Sequence, residues 1–180
     1  MGAKWQKFTV MLPKTLTDAK EKLALGQDII KHIVHRTRSG DDNRGNSFHK
    51  YSKSYKRSFA YKVSHKGGNV NLTQSGDMLQ DIEVLSVSKD KITIGFENGT
   101  LSNDKADGHI TGWQGRSDVK RQFLGFEGSE QKAILNGLIK KHDKGITQEQ
   151  LKALAYMTGK DINKSKVLKL PIDGVDENDY

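Results

Sequence analysis

Between Thr15 and Gly40 the apolar residues return every three or four positions, and this run restricts the fold more than any other. Leu23, Gly26, Ile30, Ile33 and Val34 fall on one side of a helix, so that side must be covered by something else. Thr15 or Thr17 is placed to cap its start, with Asp18 and Glu21 in the first turn, where the helix dipole favours carboxylates. His32, His35, Arg36 and Arg38 gather at the other end, and Gly40 supplies the stop.

Two β-branched runs follow further along, Glu83-Val-Leu-Ser-Val-Ser88 and Lys91-Ile-Thr-Ile-Gly-Phe96. Only Lys89-Asp90 separates them, so they read as an antiparallel hairpin, although the turn lacks the favoured glycine. Trp5, Phe8, Val10 and Leu12 alternate before Pro13 and read as an edge strand or an arm. Asn71 to Gln74 reads as a short strand or bend, after which Ser75 can cap a short helix through Met78, Leu79 and Ile82. Asp104 to Ile110 is expected to form one or two helical turns, and Gly112 to Lys120 a loop. Ser129 should cap a helix from Glu130 to about Lys141 with Ala133, Ile134 and Leu138 on its apolar side. Thr147 with Gln150 resembles a capping box, and Val167 to Leu170 reads as a final strand. The elements read from the chain are thus a long N-terminal helix, an antiparallel hairpin and additional C-terminal helices. The expected division is a core at 1–128 and a helical extension with an acidic tail at 129–180.

Only 34% of the 180 residues are hydrophobic, a thin supply for a core, so part of the surface is expected to be completed by other subunits. The net charge of +8 is concentrated. Lys31 to Lys66 holds ten Lys or Arg against Asp41 and Asp42, whereas Asp173, Asp176, Glu177 and Asp179 make the last stretch acidic. Such asymmetry suits an anionic partner or assembly between opposite charges. Within the basic span, Phe48, Tyr51, Tyr55 and Phe59 recur at three or four with Lys and Ser between them. That pattern fits a helix or turn with an aromatic face and a basic face, either packing its rings or stacking them on bases.

Chemistry is harder to find. There is no cysteine, hence no disulfide or thiolate. No Walker loop, nucleophile elbow or zinc-protease motif is present, and no enzymatic activity, metal or cofactor is expected. His32, His35 and His49 near Asp41 and Asp42 have a loose metal-site look. Histidines at a helix C-terminus are already accounted for by the dipole. Asp41-Asp42-Asn43-Arg44-Gly45 lacks the glutamate that closes a calcium loop and reads as a turn. With no apolar run near the ~20 residues of a membrane span and no apolar leader, a soluble protein made inside the cell is expected.

Taken in order, several short motifs carry a resemblance. The helix ending Ile33-Val-His-Arg-Thr37 leads into Gly40-Asp-Asp-Asn-Arg-Gly45-Asn-Ser-Phe48-His-Lys-Tyr51-Ser52-Lys-Ser-Tyr55. Leu72-Thr-Gln-Ser75-Gly76-Asp-Met78-Leu79 follows, then the strand pair ending Ile94-Gly-Phe96, then Lys105-Ala106 with His109 and Gly112, and last Arg121-Gln-Phe123-Leu124-Gly125. Over about residues 20 to 126 this resembles the neck, or head–tail joining, proteins of tailed bacteriophages, the virion morphogenesis family. The resemblance implies an α+β fold, a long N-terminal helix packed on a small antiparallel sheet with additional C-terminal helices, in a non-enzymatic tail-completion-like subunit of a homo-oligomeric ring, six-fold like the tail. Its neighbours would be portal, adaptor or stopper proteins on the head side and tail terminator or tail tube proteins on the other, with packaged DNA in the channel. It would be assembled in the host cytoplasm and located in the virion neck. Phe48, Tyr51, Tyr55, Ser75, Gly76, Arg121, Phe123, Leu124 and Gly125 would be structural motif positions. Arg36, Arg38, Arg44, Lys50, Lys53, Lys56 and Arg57 would face a partner or the DNA channel. The alternative reading is a basic nucleic-acid-binding protein.

Overall fold

The computed structural model describes residues 4–64, 70–73, 77–112 and 119–143. The elements run β1 (Lys7–Met11), α1 (Ala19–Ser39), α2 (Lys53–Arg57), α3 (Phe59–Ser64), α4 (Asp77–Gln80), β2 (Glu83–Val87), β3 (Lys91–Gly95), α5 (Leu101–Thr111) and α6 (Ser129–His142). The class is α+β, as the sequence predicts: a 21-residue helix and further helices around a three-stranded antiparallel sheet.

The strand order is β1-β3-β2, which makes β1 an edge strand paired to β3 from Lys7↔Gly95 to Met11↔Lys91. β2 and β3 form the expected hairpin, with a register shift between Val84 and Ser86. The turn manages without glycine because other groups take its polar atoms. The Ser88 N–H donates to the Lys91 carbonyl at 2.9 Å, and Lys22 Nζ donates to the Ser88 and Lys89 carbonyls at 3.1 and 2.8 Å. Lys22 is therefore buried, its stem against the sheet and its ammonium on the turn.

Period-two alternation puts Val10, Ile92 and Ile94 on the inner face of the sheet, against α1. The helix answers with Leu25, Ile29 and Ile33, none of which is exposed at all. Each such side chain contributes about 1.5–3 kcal/mol of transfer free energy. The buried stripe runs through Lys22, Leu25, Gly26, Ile29, Ile30, Ile33, Arg36 and Thr37. Leu23, expected on that stripe, is 48% exposed, because it lies one residue, or about 100°, round the helix from Lys22. Gly26 is where helix and sheet come closest: a Cβ there would lie 2.6 Å from Val84 Cγ2.

The start of α1 differs from the expectation. Neither Thr15 nor Thr17 caps it. Asp18 does, accepting from the Lys20 N–H at 2.8 Å. The Thr15 hydroxyl is instead 2.7 Å from the Asp143 carboxylate. At the other end Gly40 adopts the left-handed conformation, as predicted, and its N–H reaches the Arg36 and Thr37 carbonyls.

The helix expected from Asp104 is longer. Thr100 caps it, and α5 covers 11 residues, with Ala106 and Asn103 in the interior. Asn103 ties it to the first strand: its side-chain oxygen accepts from the Gln6 N–H at 2.8 Å, and its amide donates to the Lys4 carbonyl. α6 starts at Ser129 with Gly128 as its cap residue and no side-chain cap, so Ser129 does not play the part expected of it. Leu135, Leu138 and Ile139 pack on the core, whereas Ala133 is exposed.

The helix is antiparallel to α1. Gln131 near its start meets His32 and Arg36, while His142 at its end lies 3.2 Å from Glu21 and 3.1 Å from Asp28. Lys141 and His142 hold the Asp28 carboxyl well below the usual carboxylate range. Assigned from sequence to a separate extension, α6 belongs to the compact unit Met1–Asp143, and the remaining unit is Lys144–Tyr180. The capping box at Thr147 and the strand at Val167 to Leu170 lie outside the described residues, as do Gln74, Ser75 and Gly76.

Candidate functional site

The apolar members of the motifs that carry the resemblance converge among the described residues. Phe48, Leu72, Leu79, Phe96, Phe123 and Leu124 are all buried in one hydrophobic cluster under α1. Phe96 and Phe123 meet edge-to-face with ring centroids 6.3 Å apart.

The segment Arg121 to Gly125 forms no helix or strand, so its backbone polar groups need partners from elsewhere. Arg36 provides partners for two of the segment's carbonyls. Its Nη2 donates to the Phe123 carbonyl at 2.7 Å and the Gly125 carbonyl at 3.0 Å, and its Nη1 donates to Gln131 Oε1 at 2.8 Å. Asn43 completes the set. Its N–H donates to the Gln122 carbonyl, its side-chain amide to the Leu124 carbonyl, and its own carbonyl accepts from the Glu127 N–H.

Arg36 is thus not an interface cation. It is 5% exposed and fixed inside the protein, with its guanidinium 5.4 Å from the Phe126 ring centroid. Burial pushes its pKa down to about 10, still fully charged at neutral pH, with Asp42 and Asp41 opposing the shift. The sequence placed it among basic residues at a helix end, where residue type alone does not distinguish the arginine that turns inward. The helical phase could have done so, since Arg36 continues the Leu25–Ile29–Ile33 stripe.

The other predicted cations divide. Arg44 is exposed but paired with Glu127 at 2.9 Å, both at the surface, where such a pair is worth little. Arg38 is exposed and lines an open groove of about 570 Å³ whose floor includes Ile30, Val34 and Leu79. Lys50, Lys53, Lys56 and Arg57 are exposed and form no ion pair among the described residues. Lys53, Lys56 and Arg57 lie on α2 and Lys50 just before it, and Ser52 caps that helix by accepting from the Tyr55 N–H.

The aromatic face exists but with different members. Tyr51, Tyr55 and Tyr61 pack together with centroid distances of 4.9, 5.8 and 5.7 Å, and the Arg121 guanidinium carbon lies 5.4 Å from the Tyr51 ring centroid. Phe48 has gone into the core, and Phe59 is 82% exposed. Ser58 explains the change. It is extended, and its hydroxyl accepts from the Tyr61 N–H, so it ends α2 and resets the helical phase for α3. Phe59 then loses the register that four-residue spacing implied, and Tyr61 takes its place. The tyrosines spend their faces on one another, which favours packing over base stacking. Burial raises the Tyr51 pKa.

His32 stacks on Phe126 at 5.5 Å and meets Gln131, while His35 and His49 are exposed, so the three do not converge. Among the described residues no group of three metal-ligating side chains occurs, and no helix is long and apolar enough to cross a membrane.

His109 on α5 carries the largest histidine shift. Burial above all, and Arg121 beside it, push its pKa from 6.5 to about 4. Above pH 6.5 the imidazole is neutral whether the chain is folded or not. As pH falls from 6.5 towards 4, the unfolded chain binds a proton that the folded one refuses, so stability declines by up to about 3 kcal/mol. Urea midpoints at pH 7.5 and 4.5 check this. His109→Gln should flatten the dependence in that window, and an unchanged slope would assign it to other groups.

Comparison with protein-family models, curated proteins and solved structures finds no match to this chain.

Proposed function

We propose that this chain is a structural, non-enzymatic subunit of a tailed-bacteriophage neck, assembling as a ring between the head's portal, adaptor or stopper complex and the tail. The observation that carries this reading is the order of the motifs together with where they lie. Among the described residues that bear the resemblance, Phe48, Leu72, Met78, Leu79, Phe96, Phe123 and Leu124 share one core, in a fold with a long helix and a small antiparallel sheet. That is the architecture the resemblance implies. The exposed cations Arg38, Lys50, Lys53, Lys56 and Arg57 are the surface offered to an acidic neighbour or to DNA in the channel. A closed ring requires one patch on each copy to meet a different patch on the next.

Replacing these five cations with glutamate should leave the fold intact and abolish joining, giving separate heads and tails. The readout is electron microscopy and native mass of the purified protein with and without phage tails, where the unaltered chain should form rings on tail ends. Joined particles with the charge-reversed chain would remove this role. Binding of the unaltered chain to free duplex DNA with a steep inverse salt dependence, and no ring on tails, would favour the nucleic-acid-binding alternative.

A further inference from the structure

β1 leaves one row of backbone groups unused. The Phe96 N–H donates to the Gln6 carbonyl and the Leu12 N–H to the Asp90 carbonyl, in the register Lys7↔Gly95 to Met11↔Lys91. Hydrogen-bonded pairs alternate along an antiparallel ladder, so the even-numbered residues of β1 bond to β3. The N–H and C=O groups of Lys7, Thr9 and Met11 therefore point away from it. These three residues are exposed, and their backbone groups meet no partner among the described residues. The opposite edge differs: β2 is interrupted by the irregularity between Val84 and Ser86, a device that discourages strand addition.

We infer that the β1 edge pairs with β1 of a second copy of this chain, antiparallel and two-fold about Thr9, joining two three-stranded sheets into one. The register follows from parity. Only odd residues of both strands can face each other with free groups, and centring on Thr9 sets Lys7 opposite Met11 and Thr9 opposite Thr9. All three outward residues of each strand are then used, making about six backbone hydrogen bonds.

The neighbouring registers fit less well. Centring on Phe8 or Val10 pairs only two of the three outward residues of each strand within β1. Centring on Lys7 would oppose two ammonium groups, and centring on Met11 would bring in Pro13, which has no N–H. A lysine on an edge strand ordinarily guards against pairing. Here Lys7 is drawn aside, its Nζ 3.3 Å from the Trp5 ring centroid, and its partner across the axis is uncharged. Met11, 64% exposed, would gain cover from the Lys7 stem, and half-buried Phe8 would gain Val10 of the other copy as a neighbour. This pairing is isologous, distinct from the heterologous contact a ring requires, and does not rest on the neck reading.

The test uses the full chain. Sedimentation should show a concentration-dependent dimer, and hydrogen exchange should show the Lys7, Thr9 and Met11 amides gaining protection as dimer forms, with Phe8 and Val10 protected throughout. Thr9→Pro removes the outward N–H and an exposed hydroxyl contact with Thr93 but no backbone bond to β3, and should give a monomer with unchanged helix and sheet content. In case proline disturbs the strand, Met11→Lys puts like charges opposite each other twice and should weaken the dimer about tenfold. Adding Lys7→Glu should restore most of the affinity. A chain monomeric at all concentrations, a dimer indifferent to Thr9→Pro and Met11→Lys, or an assembly whose protected β1 edge ignores the charge swap would each overturn the two-fold pairing.

Discussion

Arg36→Ala should lower the unfolding free energy by about 3–5 kcal/mol, because it strands the Phe123 and Gly125 carbonyls in the interior. Two controls separate charge from geometry. Arg36→Lys keeps the positive charge but has no planar fork to reach three acceptors on two elements, so it should recover less than half of the loss. Arg36→Met keeps the volume and should behave like alanine if unsatisfied carbonyls are the cause. Urea midpoints give the magnitude. Hydrogen exchange gives the location, since the segment from Arg121 to Glu127 should loosen first. A loss below about 1 kcal/mol for Arg36→Ala would show that water replaces the guanidinium and that the residue does not hold the segment.

Phe123→Ala should cost a similar amount, about 3–5 kcal/mol, for a different reason. Phe123 has no exposed surface and meets Phe96, also fully buried, edge-to-face. Removing its ring leaves a cavity where helix, sheet and the irregular segment meet, and the core cannot collapse into it without moving one of them. Phe123→Leu should cost about half as much. A cycle with Phe96→Leu should show a coupling of about 0.5–1.5 kcal/mol, the signature of the ring pair. Additive losses would mean that the two rings contribute only through the area they bury.

These two residues illustrate how much was legible beforehand. Phe123 is apolar within a short motif, and its burial could be expected. Arg36 was grouped with Arg38, two residues away, as a surface cation. The two differ only in helical phase, about 200° apart, yet one anchors the interior and the other faces solvent. Lys22 misleads in the same way: a charged residue that ends up 5% exposed because a hairpin turn offers carbonyls within reach of its stem. The aromatic pattern at 48, 51, 55 and 59 had the right period and the wrong membership. One serine at 58 could cap a second helix, and period counting assumes that a helix continues.

The long helix, its glycine stop, the hairpin and the edge strand were determined by the sequence itself, since each depends on local spacing and local hydrogen bonding. Only the tertiary structure decided where α6 belongs, which basic residues remain at the surface, and which backbone atoms stay unpaired. Those outcomes depend on groups 60 to 120 positions apart finding each other. His142 lies against Glu21 and Asp28, Arg36 against Phe123, and among the described residues no strand lies beside the outward groups of Lys7, Thr9 and Met11. Contacts at that separation leave no period in the chain, because they are selected by packing after the local elements have formed.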